Sequence, residues 1–156
     1  MTESARLARA ADVPVMRSIA ATVEATLEGA RGAVVFLGRE AADEAWRIGV
    51  AVDEGRAVVG TYDDAPFGYA VFTTEELNDQ TLLGRIESLA VLPDARGAGI
   101  GEAMMNLVIA ILRDAGCASI DAHALPGDRE TKNFFESFGL KARLLVVNLA
   151  LDSGDD

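Results

Sequence analysis

The chain has 156 residues, with one cysteine, one histidine and a net charge of −11 from 14 basic and 25 acidic side chains. That length suits one domain whose core needs no disulfide staples, and the cysteine and histidine counts exclude a disulfide framework and a multi-histidine or cysteine-rich metal site, so no metal is expected. The acidic balance argues against a nucleic-acid partner, the apolar runs are too short for a membrane span, and the polar N-terminus lacks a signal's apolar region; a cytoplasmic protein is expected.

In chain order, Ala5–Ala10 reads as a short first strand. Asp12 is a candidate N-cap and Pro14 sits in the first turn of a helix over 13–28, whose apolar face is Val15, Met16, Ile19, Ala20, Val23 and Leu27. Gly29 ends it. The stretch 32–38 is a loop or a short extended piece. Residues 40–52 read as a helix with Ala42, Ala45, Trp46 and Gly49 on one face, and Trp46 is expected to pack. Ala57–Tyr62 and Phe67–Thr73 form a hairpin around the turn Asp63-Asp64-Ala65-Pro66. After a polar loop at 75–80, Thr81–Leu92 is a long strand that Pro93 ends. A helix over 100–115 buries Ile100, Met104, Leu107, Val108, Ile111 and Leu112 and is capped by Gly116. Ser119–Ala124 is a strand parallel to 81–92, because a helix joins them. A short helix runs from Asp128 to Phe138 and Gly139 stops it. Leu144–Leu151 is a last strand, apolar on both faces, and 152–156 is an acidic disordered tail. The order β-α-α-β-β-β-α-β-α-β makes an α/β (α+β) single domain over 1–151.

The informative stretch is Leu89-Ala90-Val91-Leu92-Pro93-Asp94-Ala95-Arg96-Gly97-Ala98-Gly99-Ile100-Gly101. It reads as a strand end, a turn and a glycine-studded helix start directly behind an arginine. Few side chains shield its N–H groups and a helix N-terminus is partly positive, so it suits a phosphate or pyrophosphate. A tight turn that needs glycine for its dihedrals explains it equally well. A dinucleotide fingerprint G-x-G-x-x-G fits Gly97 and Gly99 but puts Glu102 at the third glycine, although Asp121 lies where a ribose-binding acid belongs. No Gly-Lys-Ser/Thr exists for a P-loop.

Arg96, Gly99 and Gly101 match the R/Q-x-x-G-x-G/A signature, so the segment resembles that of the GCN5-related N-acetyltransferases (GNAT). Leu89–Pro93 resembles that family's fourth strand, and Thr131–Leu140 its closing A-x-x-F-Y-x-x-x-G-F element. The element order is similar along nearly the whole chain. The resemblance implies a mixed central sheet with parallel strands 4 and 5 splayed apart, and acetyl-CoA as co-substrate in the gap. Backbone groups of Leu89, Ala90 and Val91 would pair with the pantetheine arm. Arg96, Gly97, Ala98, Gly99, Ile100 and Gly101 would hold the pyrophosphate, Arg96 as a fork to a phosphate oxygen; its other role is a surface ion pair with Asp94 or Glu102. Asp128 and Phe134 are further cofactor contacts.

The implied activity is acetyl transfer to a primary amine of a small molecule or peptide by direct attack. Such an amine is protonated near neutral pH, so a base is needed. Glu87, which interrupts an apolar strand just before the cofactor segment, is the candidate catalytic base; a solvent-facing glutamate on the outer face of the sheet is the alternative. Strand N–H groups near Leu89 can polarise the carbonyl. The family's general-acid tyrosine aligns with Phe135, which has no hydroxyl, so water, Tyr69, Ser88 or Ser137 is left to take its place. His123 is a reserve base and Cys117 a structural thiol. The missing hydroxyl keeps a non-catalytic acyl-CoA-binding or regulatory module open as the alternative function. Acids at Glu24, Glu28, Glu40, Asp43 and Glu44 suit a cationic acceptor or merely an exposed helix face. The apolar 144–151 segment allows a homodimer.

Overall fold

A computed structural model describes residues 2–151; the expected tail at 152–156 lies outside the described residues. Five strands form one sheet in sequence order: β1 (Glu3–Leu7), β2 (Ala57–Tyr62), β3 (Ala65–Glu76), β4 (Leu82–Val91) and β5 (Cys117–Ala122). The first three pairings are antiparallel and β4–β5 is parallel. The β2–β3 turn places Asp63 and Asp64 at φ 50° and 69°. Positive φ at both central residues matches the right-handed twist of the flanking strands.

Helices cover both faces. On one face α1 (Val13–Ala25) and α3 (Glu44–Asp53) pack Met16, Ile19, Ala20, Ile48 and Ala51 against Val59, Tyr69, Val71 and Ala90. On the other, α4 (Ile100–Asp114) and α5 (Arg129–Ser137) pack Ile100, Met104, Met105, Val108, Leu112 and Phe135 against Val58, Ala70, Phe72 and Ile86. Neighbours such as Val58 and Val59 serve opposite cores because strand side chains alternate. Gly60 lets α4 approach: a Cβ there would lie 2.5 Å from Ile100 Cγ2 and 2.8 Å from Met104 Cγ.

Several expectations change. The first strand is β1 at Glu3–Leu7, earlier than 5–10, because Ala10–Asp12 forms a single 3-10 turn. Asp12 does not cap α1 through its side chain. Its carboxylate accepts from the Arg6 guanidinium at 2.8 and 3.0 Å and from the Arg9 N–H at 2.7 Å, tying β1 to the turn. Residues 33–38 form a one-and-a-half-turn helix, α2 (Ala33–Gly38), entered through Gly32 at φ +87°. That turn overrides the extended preference of its valines.

The buried side of α3 is Glu44, Ile48 and Ala51, so Trp46 points outward and is 70% exposed instead of packing. The sequence pattern misled because a charged residue, Glu44, occupies the inner face. Leu144–Leu151 forms no strand: it makes no ladder with β5 and is exposed. A strand exists only through a paired neighbour, and the described chain supplies none there.

Candidate functional site

The parallel ladder between β4 and β5 pairs Leu82–Ile86 with Cys117–Ala122 and stops. β4 continues to Val91, paired on its other side only, with β3. The stretch 87–91 therefore presents backbone to a gap that β5 has left. Ala90 turns its side chain into the α1/α3 core, while Leu89 and Val91 face the α4 core. These three residues can thus reach a ligand in the gap only through backbone, which suits an extended, amide-bearing chain added as a further strand.

Directly beyond, Pro93–Ala95 makes a 3-10 turn, and Gly97 and Gly99 take φ of +86° and +85°, a region where a side chain is strained. Gly99 is the N-cap of α4 and supplies no side-chain cap, so the first-turn N–H groups are free for an anion. Ile100 is buried and offers only backbone, and Ala98 is partly buried on the same core. A Cβ on Gly101 would lie 3.1 Å from the Phe134 ring, so the glycine lets α5 close against the start of α4. Phe134 packs edge-on against Phe135, with ring centroids 5.7 Å apart.

Arg96 pairs with neither Asp94 nor Glu102. Its Nη1 lies 2.9 Å from Glu130 on α5, and its Nε donates to the Val91 carbonyl at 3.3 Å. The guanidinium is thereby held over the end of β4. Asp128 caps α5, accepting from the Thr131 N–H at 3.3 Å and its hydroxyl at 2.7 Å. The loop ahead of Asp128 touches the loop after α1: Gly127 N–H donates to the Arg31 carbonyl at 3.1 Å, and a Cβ on Gly127 would lie 2.3 Å from Arg31 N.

Glu87 occupies a bulge. Val71 pairs with Ser88 and Phe72 with Ile86, leaving Glu87 as the extra residue of β4. Bulges re-aim side chains, and here the carboxylate reaches the α3 side of the sheet. Its oxygens lie 3.4 Å from Arg56 Nη1 and 3.5 Å from Arg47 Nε. Arg47 also holds Glu44 at 2.7 Å, and Glu44 accepts the Tyr69 hydroxyl at 2.6 Å. Tyr69, Glu44, Arg47, Glu87 and Arg56 thus form one chain of polar contacts from the core to the edge of the gap. Arg47 and Arg56 were not expected at the site; Glu44, expected to suit a cationic acceptor or an exposed helix face, is instead buried against Tyr69 and Arg47. The one available signal was one arginine within and one just after a helix that carries its acid on the apolar side.

Of the three hydroxyls considered as stand-ins, Tyr69 is buried, and burial first, then the Glu44 charge, push its pKa far up; it holds its proton and is a poor acid. Ser137 donates to the Phe134 carbonyl and is spent within α5. Ser88 lies on the stretch of β4 that pairs with β3 but not with β5, its Oγ buried without a well-formed hydrogen bond. Phe135 is 6% exposed and belongs to the α4 core. His123 is exposed just past β5, and its charge adds to the lowering of Glu40 and Asp121, whose main partners are Arg39 and Arg143. Cys117 is half-buried, next to the Leu112 and Gly84 packing.

Among solved structures, a single-residue mutant of the BH1408 protein from Bacillus halodurans superposes with TM-score 0.78 at 21% identity, over 94% of this chain and 98% of that one. A GCN5-related N-acetyltransferase from Ralstonia eutropha JMP134 gives 0.71 at 20%, over 95% and 98%. The aminoglycoside N-acetyltransferase AAC(6')-Iy, solved in complex with CoA, gives 0.70 at 13%, over 97% and 95%. No curated protein matches by sequence. The family model for the acetyltransferase (GNAT) family matches residues 23–140, the span that carries the splayed strands, the glycine-led helix and the Phe134 element, and the chain belongs to that family.

Proposed function

We propose that residues 1–151 form one N-acetyltransferase domain that uses acetyl-CoA to acetylate a primary amine of a small molecule or peptide by direct attack. The observation that carries this reading is the placement, end to end, of an unladdered strand stretch (87–91) and an uncapped, glycine-led helix start (97–101). The first matches an amide-bearing arm, the second a pyrophosphate. A shared fold with an aminoglycoside acetyltransferase solved with CoA supports it. Arg96, once released from Glu130, forks to a phosphate oxygen, Phe134 packs α5 against the start of α4, and Asp128 caps α5.

Acetyl-CoA supplies an activated thioester carbonyl. β4 N–H groups near Leu89 polarise the carbonyl oxygen, and Glu87 accepts the ammonium proton through water. The leaving thiol has a pKa of about 8.5, so its thiolate is a tolerable leaving group without the tyrosine hydroxyl that Phe135 lacks, and the Ser88 hydroxyl, on the stretch of β4 that β5 has left, assists it. A non-catalytic acyl-CoA-binding module is the second reading, favoured by the buried Phe135 and by two guanidiniums already beside Glu87.

Calorimetric titration with acetyl-CoA, followed by an amine panel with thiol detection, tests both. Binding plus amine-stimulated thiol release is expected. Absence of binding overturns the proposal, and binding without thiol release with any amine selects the second reading.

A further inference from the structure

Two guanidiniums meet at Glu87, and neither has its hydrogen-bonding capacity filled. Arg56 donates from Nη1 to the Phe72 carbonyl at 2.7 Å and from Nε to Glu54 at 2.8 Å. Arg47 donates from Nη1 to Glu44 at 2.7 Å and to the Glu40 carbonyl at 3.3 Å. These contacts fix both side chains, which remain 21% and 24% exposed for Arg47 and Arg56. Among the described residues, Nη2 of Arg47 and Nη2 of Arg56 donate no hydrogen bond. Toward Glu87 the fit is loose: the closest approaches are 3.5 Å from Arg47 Nε and 3.4 Å from Arg56 Nη1. A well-made charged pair is shorter, at ~2.7–2.9 Å. Of the other acids here, Glu44 is buried and held by Arg47 and the Tyr69 hydroxyl. Glu54 is 55% exposed, so water screens its charge. Glu87 is therefore shared by two half-buried cations.

That arrangement disfavours a plain cation. An acceptor amine arrives as an ammonium. At Glu87 it would draw the carboxylate away from the guanidiniums and stand beside two charges of its own sign. A carboxylate on the same acceptor reverses the balance. It takes the place that Glu87 gives up, against the free Nη2 groups, and a guanidinium matches the two oxygens of a carboxylate. Because both arginines lie within 3.5 Å of Glu87, the acceptor's amine and carboxylate must be close together. We infer that the acceptor is a free amino acid, with amine and carboxylate on the same or neighbouring carbons, its carboxylate between Arg47 and Arg56 and its amine at Glu87. This rests on the proposed acetylation and narrows it: a peptide N-terminus has no such carboxylate, and a diamine brings a second positive charge to the arginines. The amine takes the acetyl group, one of its protons going to the thiolate and one to solvent through Glu87, and the carboxylate is unchanged.

The wild-type chain, with and without saturating CoA, is titrated calorimetrically with the common α-amino acids, their carboxamides and putrescine, and thiol release from acetyl-CoA is followed with the same amines. At least one amino acid is expected to bind, with its carboxamide and putrescine weaker by roughly tenfold or more. The kcat/KM for thiol release is expected to fall in the same order. Arg56→Gln is expected to raise the Kd for the amino acid about tenfold, leave that for the carboxamide unchanged or lower, and keep acetyl-CoA affinity. Arg56→Lys, which keeps the charge and loses the fork, is expected to show an intermediate preference and serves where Arg56→Gln does not fold. A carboxamide or putrescine bound as tightly as the acid, binding of none of these amines, or a preference untouched in both variants overturns the inference. Amino-acid binding without thiol release upholds the carboxylate site and overturns the acetylation. Turnover confined to amines without a carboxylate does the reverse.

Discussion

Glu87 owes its position to one irregularity: the extra residue in β4 turns its carboxylate toward Arg47 and Arg56. As the base, Glu87 makes Glu87→Gln lower kcat by about 10²-fold or more, while acetyl-CoA affinity stays within a few-fold. An unchanged kcat would mean that the carboxylate only anchors the two arginines. Tyr69 answers a separate question. Tyr69→Phe leaves Glu44 with Arg47 but removes a buried hydroxyl donor, at a cost of about 1–3 kcal/mol. The expected thermal-melting shift is roughly 2–12 °C downward, with turnover largely kept because the proton of Tyr69 is held too firmly to be donated. The role of Glu87 as a candidate was legible from its place in an apolar strand. Its two guanidinium partners were not, since they come from α3 and from the residue just before β2, brought together only by the fold.

At the scale of elements, the cofactor loop is positioned by what lies beneath and beside it. Gly60 on β2 supports the first turn of α4, and Gly60→Ala would drive a methyl group into Ile100 and Met104. Overpacking of this kind costs about 1–3 kcal/mol. We expect a lower melting temperature together with an acetyl-CoA dissociation constant raised about tenfold, measured by calorimetry. Gly127 acts at the other end of the gap, where its backbone meets Arg31. Gly127→Ala must part the two loops, and steady-state kinetics should show kcat/KM for the amine falling more than acetyl-CoA affinity. The helices at 13–25, 100–114 and 129–137 were readable from apolar spacing and glycine stops, with ends displaced by one to three residues. The stretch 30–55 was read less well: α2 is set by Gly32, and α3 turns on a buried glutamate, both against local preference.

For the whole molecule, the paired acids set behaviour at low pH. The Arg6 guanidinium, then the Arg9 N–H, hold the Asp12 carboxyl below its usual range despite burial, and Arg143 does the same for Asp121. A carboxyl depressed in the folded state adds stability that is fully present above its unfolded pKa of about 3.9 and is lost as pH falls through the folded value. Urea melts should therefore show stability declining below about pH 4. Asp12→Asn should be less stable at pH 7 by about 1–3 kcal/mol, with the gap to wild type closing as the pH drops; a constant gap would show that Asp12 does not act through its charge.

The sequence by itself determined the class of fold, the order of the strands and longer helices up to α5, and the place of the glycine loop. Those properties follow from local periodicity, turn chemistry and a motif contiguous along the chain. Only the tertiary structure decided where Glu87 points, that Arg96 meets Glu130, and that Phe135 sits in the core. It also decided that Leu144–Leu151 stands unpaired beside an open edge. Each of these depends on which surfaces meet across tens of residues, and side-chain spacing along one element carries no record of the neighbour it will face.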